Sequence, residues 1–447
     1  MDRAVITGLR TALAAGVFVA VAAVLLHRSS GAPAPPQRAA ASPPAIAASS
    51  PQKITPPLLA EKACIYRNWR TFTTKDGLPS NECKAIRVDT DRIWVGTDQG
   101  LARYENGKWS TLGVKAGLPH RIVLSLDVDP RTDDLWVGTC GGLARVSGGT
   151  VAETFNQLNS GLPNDVVYGI ACYGDDVWCA TASGVGRFNT RTRQWALYNV
   201  NNTIMFEPWS YAISAADNMV YVGVWGGGVV EYNLNTRMWR DYHDPDGELE
   251  TCLFKDAGLV HEVIPAVSYS RGLLWAGSYF GLSTYDGRHW KNYFKKDSGL
   301  ASDFTNFVRA NGRVGWICTD DGLSAFDGAR WITYRRTPKG GEMRIQEPPA
   351  SPRVFHLTRT LPGNYCEGVD FRGDEVWVAT ASGVALGRAQ GSTGPSLETT
   401  ASAHAHARAK QPAMAAPHSE ATVHRATGIR LPPFRASYGT KTRRSIQ

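Results

Sequence analysis

Short apolar stretches bounded by Gly, Asn and Asp recur along the chain from residue 69 to residue 388. The first repeat begins with Arg92 to Thr97, turns at Asp98-Gln99-Gly100 and continues with Leu101 to Tyr104. Glu105-Asn106-Gly107 then leads to a third stretch, Lys108 to Leu112. Apolar runs of this length separated by Gly-containing turns are typical of β-strands joined by tight hairpins. The predicted local order is therefore strand, corner, strand, hairpin, strand.

This phrase recurs seven times, at intervals of 41 to 61 residues. A further strand precedes each phrase, as in Cys83 to Val88, which makes four strands per repeat. Repeats of about 40 to 50 residues built from short strands have the length of one propeller blade. The pattern predicts an all-β, seven-bladed β-propeller of four-stranded blades. The seven phrases begin at Trp94, Trp136, Trp178, Tyr221, Trp275, Trp316 and Trp377.

Ring closure can also be predicted. The seventh repeat stops at Arg388 without a fourth strand, whereas Trp69-Arg70-Thr71-Phe72 stands before the first repeat and matches Trp331-Ile332-Thr333-Tyr334 of the sixth. A strand added there would cover the exposed edge of the last blade. We therefore predict that the N-terminal strand completes blade seven. Glycines at the corners, such as Gly100 and Gly281, are expected to adopt positive φ angles.

The repeated phrase WVGTxxGLxRYDGxxW, with lead-ins of the GLPSN type, resembles the two-component regulator propeller repeat. The resemblance covers residues 69 to 388. It implies a propeller like those in the exported sensor regions of bacterial hybrid histidine kinases. Such sensors usually add a second propeller, a β-sandwich, a membrane span and a kinase, which the sequence does not show. Any signalling is therefore expected to need a separate partner.

The N-terminus predicts export. The apolar run from Thr11 to Leu26 follows Arg3 and Arg10, which is typical of a secretory signal or a short signal anchor. We expect a signal anchor or signal peptide at 1–28, a Pro/Ala/Ser-rich linker at 29–60, the propeller at 61–389 and a disordered basic tail at 390–447. The protein is then periplasmic and anchored in the inner membrane by this segment only, or secreted if the segment is cleaved.

The distribution of charge and the spacing of cysteines narrow the classes of partner and of metal site that the protein could have. Residues 1–60 carry +4 and residues 390–447 carry +6 of the total +8, which leaves −2 for the propeller. A nucleic-acid partner is excluded because its binding face would need basic residues on the folded body. The eight cysteines show no zinc-binding spacing, so no metal or cofactor is expected. Cys83 and Cys366, at matching positions of neighbouring blades, are a candidate disulfide if their Cα atoms lie within about 7 Å.

Twelve of the fourteen tryptophans fall on strand positions where packing is expected. Trp209 and Trp225 do not, because both lie in predicted loops of blade four on the top face, the face formed by the second-to-third-strand corners and the connections between blades. Blade five adds Tyr279 and Phe280 at the same corner. Aromatic side chains on a rim suit stacking against a sugar or a peptide side chain. The alternative is that they cap the inner ends of the blades.

Other corners supply polar candidates for the same face. Asp98-Gln99 is one candidate, and the acidic pair Asp320-Asp321 could ligate calcium or receive a cationic group, although adjacent Asp residues in turns are commonly solvated turn formers. Three connections, Asn199 to Ser210, His243 to Glu262 and Arg335 to Tyr365, are long enough to form a binding surface. The histidines of predicted top loops are spread over several blades, without acid–base spacing; they are His120, His243, His261 and His356.

These observations predict a non-catalytic ligand-binding or sensory propeller whose partner is a small ligand, such as a glycan or a peptide, or an envelope protein. A protein-interaction scaffold in an envelope complex is the second hypothesis. A propeller lyase or hydrolase is the third, and it would require histidine and carboxylate side chains that converge in the central opening.

Overall fold

The computed structural model describes residues 62–247 and 252–389. Within them the chain forms thirty β-strands, β1 to β30 in chain order, arranged in seven antiparallel sheets. The predicted N-terminal signal or anchor, the linker at 29–60 and the basic tail at 390–447 lie outside the described residues. In the described part, no helix is long and apolar enough to span a membrane.

Each of the first four blades is a four-stranded meander that runs outward from the central axis. Two 3-10 turns, Thr74–Asp76 and Val114–Ala116, precede the inner strands of blades one and two. The strands of these blades are β2 Cys83–Val88, β3 Ile93–Thr97, β4 Gly100–Glu105 and β5 Lys108–Leu112; β6 Val123–Val128, β7 Leu135–Thr139, β8 Gly142–Ser147 and β9 Thr150–Phe155; β10 Val167–Tyr173, β11 Asp176–Thr181, β12 Gly184–Asn189 and β13 Gln194–Tyr198; and β14 Ser210–Ala216, β15 Met219–Val224, β16 Gly228–Asn233 and β17 Trp239–Tyr242.

The last three blades follow the same plan with two modifications, an extra hairpin in blade six and a borrowed strand in blade seven. Their strands are β18 Ala266–Ser270, β19 Leu273–Gly277, β20 Leu282–Tyr285 and β21 Trp290–Tyr293; β22 Thr305–Asn311, β23 Val314–Thr319, β24 Gly322–Phe326, β25 Trp331–Thr337, β26 Gly340–Gln346 and β27 Arg353–Leu357; and β28 Cys366–Arg372, β29 Glu375–Thr380 and β30 Gly383–Ala389, completed by β1 Tyr66–Phe72.

The seven-bladed fold and its closure by the N-terminal strand are confirmed. β1 pairs antiparallel with β30, with Trp69 opposite Gly387 and Phe72 opposite Val384. The same strand also contacts blade six, because the backbone N–H of Tyr66 donates to the Tyr334 hydroxyl at 2.9 Å. The two ends of the propeller ring are therefore joined by one strand that belongs to blade seven and touches its neighbour.

The connection from Arg335 to Tyr365 was predicted as a top-face loop, and this prediction is wrong. Most of it forms the hairpin β26–β27, which extends blade six to six strands. The hairpin forms because its residues alternate, with Met343 and Ile345 buried and the residues between them more exposed. Both apolar side chains join the core cluster that contains Tyr66.

The blades pack through the tryptophans of their second strands, as predicted. Trp94, for example, is buried against Val123 and Leu126 of the next blade. The corners after these strands are equally regular. Gly100 has a φ of +125°, and a Cβ there would stand 2.7 Å from the carbonyl oxygen of Leu112, so the corner requires glycine.

Candidate functional site

A β-bulge near the top of the inner strands creates the candidate site. In six of the seven blades the inner strand slips by one residue at its second position, as between Cys83 and Ala85 of β2. A bulge leaves one residue unpaired and redirects its side chain. Pro265, just before β18, takes the corresponding place in blade five. All seven of these residues, which we call the bulge ring, line the central cavity; they are Lys84, Leu124, Tyr168, Tyr211, Pro265, Asn306 and Glu367.

The central cavity has a volume of about 700 Å³ and is lined by the inner strands of all seven blades. It extends from the bulge ring and the top-face aromatics Trp209, Trp225 and Tyr279 down to Arg309 on the inner strand of blade six. Cavities of about 300–1,000 Å³ are the usual size of small-molecule sites. The cavity is therefore large enough for a small organic ligand.

One side of the cavity is aromatic. We call the rings of Tyr168, Trp209, Tyr211, Trp225 and Tyr279 the aromatic wall. Tyr168 stacks on Tyr211 with 4.6 Å between ring centroids. Trp225 lies 5.5 Å from Tyr211 and 5.4 Å from Tyr279. These contacts hold the rings in fixed orientations over blades three to five.

The order of the rings decides which of them a ligand can reach. Trp225 is only 8% exposed, because Trp209, Tyr211 and Tyr279 surround it. It therefore acts mainly by positioning its neighbours. Trp209 and Tyr279 are more exposed and present ring surface to the cavity. Trp225 thus packs against its neighbours, whereas ligand stacking stays a prediction for the more exposed Trp209.

The opposite side of the cavity carries charge. Lys84 of blade one and Glu367 of blade seven are bulge-ring residues on neighbouring strands, and Glu367 is the one carboxylate among the lining residues. Burial raises the pKa of Glu367 to about 7; Lys84 opposes this effect and Glu82 adds to it. The carboxyl also influences the tyrosines of the aromatic wall, because its charge contributes to the raised pKa of Tyr211 and Tyr279.

Glu367 should make the stability of the protein fall with rising pH. Between pH 4.5 and about 7 the folded state keeps a proton that the unfolded chain releases, so the free energy of unfolding decreases across this window. We expect Glu367→Gln to be more stable than wild type by about 1–2 kcal/mol at pH 8, and the difference to vanish below pH 4.5. Urea unfolding at both pH values measures this. Glu105→Gln, at a bottom hairpin, is the control, and an equal change in both variants would contradict the role of burial at Glu367.

An ion-paired cluster adjoins the deep end of the cavity, where Arg309 is a lining residue. Arg87 lies 2.8 Å from Asp127 and 2.9 Å from Asp370, and Arg309 lies 3.3 Å from Asp370. Burial alone would raise the pKa of Asp370, but Arg309 and Arg87 outweigh it and hold that pKa below its usual value. We call these four side chains the floor ring. Its charges are balanced internally, so a ligand has no net charge to meet there.

The other predicted ligand residues do not line the cavity. Phe280 instead packs on the His261 ring, with 4.3 Å between centroids. Gln99 donates to its neighbour Asp98 at 3.2 Å, and both lie on the top face away from the cavity lining. Asp320 is equally absent from the lining.

Asp321 is neutralised by basic neighbours. It forms ion pairs with Lys295 and Arg335 and accepts a hydrogen bond from Asn364 at 3.4 Å. Asp321 is therefore already engaged by protein partners. Among the described residues, no group of three or more His, Cys, Asp and Glu side chains could hold a metal ion.

The candidate disulfide between Cys83 and Cys366 is not formed, and both residues are buried free thiols. The disulfide does not form because the two cysteine side chains point the same way around the ring. Cys366 packs in a cluster with Cys318 and Leu323 of blade six, the blade that precedes its own. Cys83 holds the equivalent strand position in blade one, so it faces blade seven while Cys366 faces away from blade one.

The histidines of the predicted top loops do not converge on the cavity either. The Nδ1 atoms of His120 and His261 accept from backbone N–H groups two residues further on, at 3.1 and 3.0 Å. Burial also lowers the pKa of His261 to about 4. His243 pairs with Asp241 and Glu262, and His356 lies on the outer strand β27. None of the four is a lining residue.

Sequence analysis missed Lys84, Tyr168, Tyr211 and Glu367. A signal did exist, because each is the second residue of its inner strand, and an alignment of the seven inner strands places them in one column. The bulge that turns this column toward the axis depends on strand register, which the sequence does not display.

No protein-family model matches the sequence, and no curated relative matches it. Among solved structures, the chain is similar to the extracellular domains of two hybrid two-component systems of B. thetaiotaomicron. Both are 15% identical, with TM-scores of 0.52 and 0.54. The matches cover 72% and 73% of this chain and 42% and 40% of the others, so it spans about two fifths of their length.

Virginiamycin B lyase from Staphylococcus aureus is also similar, at 11% identity and a TM-score of 0.51, with 72% of this chain and 98% of the lyase covered. At these identities the comparisons establish the fold. The chain therefore has the β-propeller fold of the extracellular domains of hybrid two-component systems.

Proposed function

We propose that the protein is an exported, non-catalytic sensory propeller that binds a small organic ligand in its central cavity. The observation that carries this proposal is the aromatic wall, five rings fixed by mutual contact along one side of a cavity of ligand size. Rigid aromatic rings offer a large contact area at little cost in conformational entropy. The positions of the histidines favour binding over catalysis.

The propeller begins on the face opposite the cavity mouth. Tyr66 at the start of β1 is paired with Ala389 at the end of β30, at the bottom end of blade seven. An anchor that precedes this point would be joined to the propeller on its bottom face and would leave the cavity mouth, with Trp209 and Tyr279, free for a ligand.

Ligand binding predicts a change in tryptophan fluorescence. We expect the full chain to give a saturable change with at least one member of a panel of envelope glycans, short peptides and amino acids, and Trp209→Ala to abolish it. Trp239→Ala is the matched control, because Trp239 is also half-buried and in blade four but lies on its outer strand. The proposal fails if both variants respond like wild type, or if wild type responds to nothing in the panel.

A protein partner is the second candidate function. Ile204 and Phe206 on one long top-face connection, and Leu253 and Phe254 on the next, are exposed apolar side chains. Clusters of this kind mark protein-binding surfaces. Affinity capture from envelope extracts with wild type and with the Phe206→Ser/Phe254→Ser double variant separates this function from ligand binding, since the double variant leaves the cavity lining intact.

A further inference from the structure

Two opposite charges, Lys84 and Glu367, stand side by side in the cavity. In the part of the chain that the structure describes, neither forms a close ion pair, although the charge of Lys84 does act to lower the pKa of Glu367. Their strands run close together, because a Cβ at Gly368 would stand 3.2 Å from the backbone nitrogen of Ile86. A half-buried charge without a partner costs free energy that a bound counter-charge recovers.

Lys84 and Glu367 lie next to different parts of the ring. Lys84 also influences Cys140 of blade two, where it opposes the rise in pKa that burial causes. Glu367 lies on the side of blade seven, with Tyr365 and Asn306 as its lining neighbours. The pair therefore offers one cationic and one anionic contact at the same height of the cavity.

The aromatic wall lies across the cavity from this pair. Lys84 and Glu367 belong to blades one and seven, whereas Tyr168, Tyr211 and Tyr279 belong to blades three to five. A ligand that fills the cavity thus meets charge on one side and aromatic surface on the other. Floor-ring charges are already paired with each other, so the bulge ring alone selects the charge of the ligand.

Resting on the proposed ligand-binding function, we propose that the ligand is a small zwitterion of the amino-acid type, with its ammonium group on Glu367, its carboxylate on Lys84 and an apolar or aromatic group against the aromatic wall. An uncharged sugar would leave both charges unpaired. A ligand with a single charge would leave one of them unpaired.

Three matched probes test this inference by calorimetry on the full chain: L-phenylalanine, 3-phenylpropanoate, which lacks the ammonium group, and 2-phenylethylamine, which lacks the carboxylate. We expect phenylalanine to bind at least about tenfold more tightly than either, since each analogue loses one charge-assisted contact. Glu367→Gln should remove the preference over 3-phenylpropanoate, and Lys84→Gln should remove the preference over 2-phenylethylamine. Lys115→Gln, an exposed lysine outside the cavity, should change neither.

Equal affinity for the three probes would overturn the inference, as would preferences that survive in both cavity variants. No binding of phenylalanine overturns it as well, and the fluorescence panel then decides the fate of the proposed function separately: a neutral glycan that responds, with loss in Trp209→Ala, would uphold a ligand site of different chemistry. Cooperative unfolding of each variant shows that the fold is intact.

Discussion

We expect Phe72→Ala to destabilise the protein by about 3–5 kcal/mol, among the largest effects of any single substitution in it. Phe72 is 1% exposed at the end of the closing strand. Its ring stacks on Trp377 of blade seven at 5.7 Å and contacts Tyr104 of blade one at 5.3 Å. One side chain therefore fills the junction where the first and last blades meet.

The loss is the cost of a buried cavity at the strand that closes the ring. Alanine would leave the β1–β30 hydrogen bonds in place but empty the space between Trp377 and Tyr104. The edge of β30 stays covered by β1, so the loss comes from the packing between blades one and seven. Equilibrium unfolding in urea measures the loss. Phe254→Ala, the same substitution at a side chain that is 56% exposed, should stay within about 0.5 kcal/mol of wild type.

A loss of less than about 1 kcal/mol in Phe72→Ala would mean that the other blade interfaces hold the ring closed without this junction. The N-terminal strand would then complete blade seven without controlling its stability. Limited proteolysis at β1 distinguishes these cases. If the strand controls the closure of the ring, it should be protected from cleavage until global unfolding.

The fold was predictable because the same pattern of strands and turns recurs seven times in the sequence. Trp94 and its equivalents, the corner glycines and the unmatched strand at Trp69 each have one consistent interpretation. The site was not equally predictable. Trp209, Trp225 and Tyr279 could be recognised because they break the repeat, whereas Tyr211 and Glu367 sit inside it and gain their role from a register slip of one residue.

The predictions that were wrong also depended on the directions of side chains and strands. Matching sequence positions made Cys83 and Cys366 a candidate disulfide, but equivalent residues of neighbouring blades point the same way around the ring. The Arg335 to Tyr365 connection was treated as a loop because it lies between two repeats, although its alternating Met343 and Ile345 indicate a strand. The sequence pattern indicates the type of each residue but not the direction in which its side chain or strand points.

We expect Asp370→Asn to destabilise the protein by about 3–5 kcal/mol at pH 7, a loss comparable to that of Phe72→Ala. Asp370 accepts hydrogen bonds from Arg87 at 2.9 Å and from the backbone N–H of Val88 at 2.7 Å, and it pairs with Arg309. Asparagine keeps the shape of the side chain but not its charge. Arg87 and Arg309 would then share the single carboxylate of Asp127.

The pH dependence identifies this mechanism. Because the pKa of Asp370 is lowered in the folded state, its contribution is full above the unfolded value of 3.8 and is lost as the pH falls through the lower folded value. The difference between wild type and Asp370→Asn should therefore shrink in strong acid and stay constant from pH 5 to pH 8. Asp321→Asn is the matched control, because its partners Lys295 and Arg335 are more exposed, and we expect it to cost less than about 1 kcal/mol. If Asp370→Asn were equally mild, the floor arginines would have to be stabilised by solvent inside the channel, and the cavity would continue past them toward the bottom face.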